Sequence, residues 1–191
     1  MAPSLVILTG ASGSGKTTLA RAIQQACPSH CKVLLFDSVG GPSVETMRAF
    51  GDGHQPGGAW QRATTLQWME RIAVKRRAGI SVLFEGQMRI AFIHEALAVS
   101  GIEGAHIILV DCEDATRRAR LHDDRNQPEL ANADMMAWSR YLREEATQAG
   151  CEILDTGTIP LENCRHRILK LLVNGRHYPC GTCSSSRRHV F

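Results

Sequence analysis

Residues 10–17 read GASGSGKT and directly follow LVILT, an apolar, β-branched run. Glycines let a backbone turn tightly enough for successive N–H groups to face one point, which is what a bound phosphate requires. Gly10, Gly15, Lys16 and Thr17 meet the spacing G-x-x-x-x-G-K-[ST], in which the loop cradles phosphate oxygens. Ser12, Gly13 and Ser14 lie inside that loop and Thr18 follows it. TTLARAIQQA reads as a helix, whose N-terminus adds partial positive charge beside the phosphates. In this arrangement Lys16 reaches the β- and γ-phosphates, and Thr17 holds Mg²⁺ through its hydroxyl. The loop implies nucleotide phosphates with Mg²⁺, but by itself names no reaction.

Such a loop needs a strand to launch it and a helix to receive it, and the chain supplies both repeatedly. Apolar runs at LVILT (5–9), KVLLFD (32–37), ISVLFEG (80–86), AHIILVD (105–111) and CEILDT (151–156) alternate with helical patterns. The helices are predicted at 59–78, 90–101, 113–124, 133–150 and 161–174, besides the one after the loop. Alternating strands and helices predict an α/β fold: a five-stranded parallel sheet with helices on both faces, in three layers. Ligands of such sheets sit beyond the carboxyl ends of the strands. Those ends carry the glycine loop, Asp37, Glu85, Asp111 and Asp155. The acidic groups are therefore expected near the phosphates, where a magnesium ion needs oxygen ligands directly or through water.

Four segments carry a more specific likeness. VLFEGQMR (82–89) resembles the LDGFPR-type segment of adenylate kinases, and VETMRAFGDG (44–53) resembles their DMLR segment. VDCEDATRRARLHDDR (110–125) resembles the strand and helix leading into their lid, and LDTGTIPLE (154–162) their DGT-x-P loop. On these residues the chain resembles the small P-loop kinases, the group of adenylate kinase, its nucleoside monophosphate kinase relatives, and the shikimate and gluconate kinases. The resemblance runs to about residue 172. It implies that Glu85 orients water on Mg²⁺ and that Arg89 and Arg48 grip an anionic acceptor. It further implies that Arg120 stacks on adenine, that Arg125 contacts the transferring phosphoryl group, and that Arg140 or Arg143 is a second lid arginine. Thr156 and Gly157 fall in the loop that borders adenine and reads its edge through backbone groups.

Asp37 bears on the acceptor. A phosphate acceptor is already anionic and needs no base, whereas a hydroxyl gains from a carboxylate within reach of its proton. Shikimate and gluconate kinases carry such an aspartate and adenylate kinases do not match it. The expected function is thus transfer of the γ-phosphoryl group of ATP to a small anionic acceptor, either a nucleoside monophosphate or a hydroxylated metabolite. A nucleotide-binding regulatory ATPase is the alternative from another class. A GTPase lacks support, because no NKxD-type motif is present.

Composition bounds the rest. The chain has 191 residues, 43% hydrophobic and 21% charged, and a net charge of +3, too small to argue for a nucleic-acid partner. No apolar stretch approaches the roughly 20 residues of a membrane span, and no secretory signal is evident. Seven scattered cysteines favour reduced thiols and a cytoplasmic setting over a disulfide framework. One domain is expected over 1–174, with an acceptor-binding cover at about 38–62, a short lid at about 121–134, and a loose or disordered tail over 175–191. Trp60 is expected to line the acceptor pocket or to anchor its helix. Met135, Met136 and Trp138 read as core. In the tail, His177, Cys180 and Cys183 make a partial, weak metal-ligand pattern.

Overall fold

The computed structural model describes residues 3–27, 29, 31–39, 45, 49–50 and 57–173. Arg48, most of the expected acceptor cover, and the tail with His177, Cys180 and Cys183 lie outside the described residues.

Five parallel strands form one sheet: β1 (Leu5–Thr9), β2 (Cys31–Leu35), β3 (Ser81–Glu85), β4 (Ala105–Asp111) and β5 (Glu152–Asp155), in the order β2-β3-β1-β4-β5. The central β1 is buried throughout because both of its faces are covered. Leu5 and Ile7 point to one side, where α2 (Ala59–Arg77) and α3 (Ile90–Val99) supply Trp68, Met69, Ile72 and Ile93. Val6 and Leu8 point to the other, against Leu19 and Ile23 of α1 (Lys16–Ala26) and Ile168 and Leu172 of α6 (Leu161–Val173). Beside the α3 face, Ala11, Ile90 and Leu109 pack on Leu142 and Ala146 of α5 (Ala133–Gln148). Met136 is buried, and Met135 and Trp138 are partly buried against this cluster, as expected of core residues. The three-layer α/β fold is the one the alternating pattern predicts.

The path departs from expectation in three places. β2 ends at Leu35, where pairing with β3 stops at Leu35–Glu85, and Phe36–Val39 forms a 3₁₀ turn rather than more strand. Phe36 turns inward there, against Trp60, Phe84 and the face of Gly86. The helix predicted over 113–124 is α-helical only as α4 (Asp114–Ala119); Arg120–Asp124 opens into a wider π-type turn. The third correction concerns the cysteines. Cys27 and Cys31 are joined in a disulfide between the end of α1 and the start of β2, so not every thiol is reduced. Their Cα atoms lie 5.9 Å apart. Cys112, Cys151 and Cys164 are free.

Between α4 and α5, in the expected lid, Asn126 takes a left-handed φ of 51° and Pro128–Leu130 makes a short 3₁₀ turn. Asn132 then caps α5 by accepting from the Met135 N–H at 2.8 Å. No helix among the described residues is long and apolar enough to cross a membrane.

Candidate active site

The loop between β1 and α1 sits against the carboxyl end of β4, which leaves Gly10 no room for a side chain. A Cβ there would meet the Val110 carbonyl oxygen at 2.1 Å, and its φ of +148° suits glycine alone. Gly13 and Gly15, at φ +77° and +90°, carry the turn into the helix. Lys16 is 7% exposed and folds back over the loop, its Nζ donating to the Ala11 carbonyl at 3.1 Å. Burial drives its ammonium down from 10.5 to about 8, with Arg117 and Arg125 pushing the same way and Glu85 and Asp37 opposing them. The Thr17 hydroxyl donates to Glu85 Oε1 at 3.1 Å, so the two expected metal-holding residues stand side by side. Burial raises the Glu85 carboxyl above its ordinary range, although Lys16 and the Thr17 hydroxyl favour its ionised form.

A cavity of about 440 Å³ opens along α1 from this point. Gly13, Gly15, Lys16, Thr17, Thr18, Arg120, Arg125 and Thr156 line it, as do Arg21, Asp124, Ile159, Leu161 and Cys164. One end is therefore a phosphate-sized cradle ringed by cations, and the other an apolar slot between the β5–α6 turn and α1. Arg120 does not swing free: its Nη1 and Nη2 donate to the Thr156 hydroxyl and carbonyl, each at 2.8 Å. Asp155 accepts from the Gly157 N–H at 2.8 Å and shapes that turn instead of facing the phosphates.

The other predicted residues fall at different distances from this centre. Asp37 is exposed on its 3₁₀ turn, and its charge reaches both Lys16 and Glu85. Ser12 donates to Gln87 at 3.3 Å, linking the cradle to the segment after β3. Arg89 is held by Glu145 at 3.4 Å and lies over the rings of Phe92 and Tyr141, 5.1 and 5.0 Å from their centroids. Glu145 also accepts from the Ile90 and Ala91 N–H groups at the start of α3, at 2.8 and 3.3 Å. Arg140 is exposed and pairs with Asp114 at 3.1 Å. Arg143 pairs with Asp111 at 2.7 Å. Asp111, expected among the magnesium-facing acids, is instead enclosed by Arg117, Arg143 and Ser139. Trp60 packs edge-on to Phe36 at 6.0 Å and is partly buried against the core.

Arg117 escaped the sequence reading. RRAR (117–120) looks like a solvated helix face, and nothing in the residue types separates Arg117, which is 0% exposed, from its neighbour Arg118. Arg21 had a legible signal, lying one turn beyond Thr17 on the same helix.

Comparison with known proteins fits this geometry. The family model for "chloramphenicol phosphotransferase-like protein" matches residues 3–173. The chain belongs to that family. No curated protein matches it significantly. Among solved structures, a sugar kinase from a Janibacter species superimposes with a TM-score of 0.66 at 18% identity, covering 89% of this chain and 94% of that one. A shikimate kinase from Acinetobacter baumannii in complex with shikimate gives 0.57 at 17%, covering 91% and 94%. A gluconokinase from Sinorhizobium meliloti gives 0.56 at 17%, covering 90% and 92%. These structures share the fold. With the family match, they make this family member a P-loop phosphotransferase of the small-molecule kinase group.

Proposed function

We propose that the protein transfers the γ-phosphoryl group of ATP to a hydroxyl group of a small molecule. The observation that carries this reading is the contrast at the acceptor end of the sheet. Arg89 is already matched by Glu145, leaving it little attraction for an acceptor phosphate. Asp37 stands exposed beyond β2, within electrostatic reach of Lys16 and Glu85. A hydroxyl acceptor uses such a carboxylate, and a phosphate acceptor does not.

Thr17 and Glu85 offer a hydroxyl and a carboxylate oxygen together, donor types that suit a hard cation. Mg²⁺ in phosphate sites takes one or two protein oxygens plus phosphate and water. That need agrees with the absence of any cluster of three or more acidic, His or Cys ligands among the described residues. Bound there, Mg²⁺ would neutralise phosphate charge. Lys16 pairs with the outer phosphates, while Gly13 and Gly15 present N–H groups to them. Arg125, on the cavity wall, stabilises charge developing on the equatorial oxygens. Arg140, held by Asp114, is the reserve for that role. Asp37 accepts the acceptor's proton as its oxygen bonds to the γ-phosphorus and the bond to the leaving ADP breaks. Arg48 remains the candidate for a further acceptor contact.

The family's printed description suggests chloramphenicol as one hydroxyl acceptor to try, and the structural neighbours suggest gluconate and shikimate. A coupled ADP-release assay over these three, with AMP and CMP beside them, tests the reading. Acceptor-dependent turnover is expected among the hydroxyl compounds. Turnover with a nucleoside monophosphate alone would overturn it.

A further inference from the structure

We propose that Thr156 and Arg117 are positioning residues of the phosphate cradle. They hold the Ser14 and Ser12 carbonyls outward and thereby aim the Gly15 and Gly13 N–H groups at the nucleotide's phosphates. The inference rests on the phosphotransferase reading and assigns it a device outside the glycine loop. In a trans peptide the C=O and the following N–H point in opposite directions, so fixing one fixes the other. The Thr156 hydroxyl donates to the Ser14 carbonyl at 2.7 Å. Arg117 Nη1 donates to the Ser12 carbonyl at 2.8 Å. Between them, Cys112 Sγ lies 3.7 Å from the Gly13 carbonyl. Among the described residues, neither the Gly13 nor the Gly15 N–H has a protein acceptor.

The loop also rests physically on these side chains. A Cβ at Gly13 would stand 3.0 Å from Arg117 Cγ, and one at Gly15 would stand 3.3 Å from Thr156 Oγ1. Each prop is itself held in place. Arg120 donates to the Thr156 hydroxyl and carbonyl, and the one hydroxyl proton has the Ser14 carbonyl at 2.7 Å as its nearer acceptor, with the Asp111 carbonyl farther off at 3.2 Å. Arg117 is fixed by Asp111 and by the Cys112 carbonyl, and Asp111 is held in turn by Arg143 and Ser139 of α5. The cradle's geometry is thus set from the β4–α4 and β5–α6 side of the sheet.

Thr156→Val preserves volume and removes the donor; Thr156→Ser restores it. The probe is tripolyphosphate, which has no base and so ignores any role of this turn in nucleobase binding. Calorimetry is expected to show Thr156→Val weakened roughly threefold to tenfold, the range of one lost hydrogen bond. The Gly15 amide resonance shifts with it, and Thr156→Ser recovers both. Arg117→Lys keeps a cation beside Asp111 and is read at the Gly13 amide, with thermal melting verifying the fold of each variant. If folded Thr156→Val binds tripolyphosphate as tightly as wild type with Gly15 unmoved, or if Thr156→Ser restores nothing, the proposal fails alone. If wild type binds neither tripolyphosphate nor ADP, the phosphotransferase reading falls and takes this proposal with it.

Discussion

At the scale of single residues, two charges decide how the site works. Asp37 is the proposed base, so Asp37→Asn is expected to lower kcat with the best hydroxyl acceptor by about 100-fold or more, while ATP affinity stays near wild type. Steady-state kinetics check it, and unchanged kcat would remove the base from the mechanism. Lys16 sets a pH dependence whose sign follows from its environment. Burial holds the free enzyme's ammonium at about 8, and a bound polyphosphate favours its protonated form. Below about 8 the residue is already charged, so affinity is flat. Above it, binding must take up a proton and ATP affinity falls, approaching tenfold per pH unit. Titrations between pH 6 and 10 check this, and Lys16→Met flattens the profile. Glycine, lysine and threonine at these spacings were legible in the sequence because the motif is local. Arg117 was not, because its role comes from burial beneath a loop more than a hundred residues away.

At the scale of elements, the acceptor wall depends on how α3 and α5 meet. Glu145 of α5 caps the start of α3 and is 14% exposed in its side chain. Glu145→Gln removes a charge from a helix N-terminus and is expected to cost ~1 kcal/mol. That corresponds to a melting point lower by about 2–4 °C for a chain of this size, measured by calorimetry. Arg89 loses its counter-charge in the same variant, so any gain of phosphate-acceptor turnover would appear there first. The π-type turn at Arg120–Asp124 is a second element the sequence did not disclose. Its residues have ordinary helical propensity, and the turn begins at Arg120, whose guanidinium is clamped to Thr156 across the fold. The strand and helix order was legible, because hydrophobic period reports which faces are covered.

At the scale of the molecule, both sheet faces are closed by helices, and the site gathers at one end of it. The Cys27–Cys31 bridge ties the end of the cradle helix to the strand that leads to Asp37. With a sequence separation of only 4, it restrains little unfolded chain and contributes ~2 kcal/mol in the loop-entropy estimate. Reduction is therefore expected to lower the melting point by about 4–8 °C without abolishing ATP binding. Scanning calorimetry with and without reductant checks both parts. A melting point unmoved by reductant, with two free thiols titrated at these cysteines, would count against the bridge.

The sequence by itself determined the cradle, the parallel sheet and the placing of Glu85 at a strand end and Asp37 just past one. These follow from short spacings and from the alternation of apolar runs, which one chain segment can specify alone. The tertiary structure decided which charges are free. Arg89, Arg140, Arg143 and Asp111 look alike in a sequence as polar residues near a phosphate site. Folding gave each a partner: Glu145, Asp114, and Asp111 itself between two guanidinium groups. A charge's availability depends on what stands opposite it across the fold, and that pairing is a property of three-dimensional distance rather than of residue type.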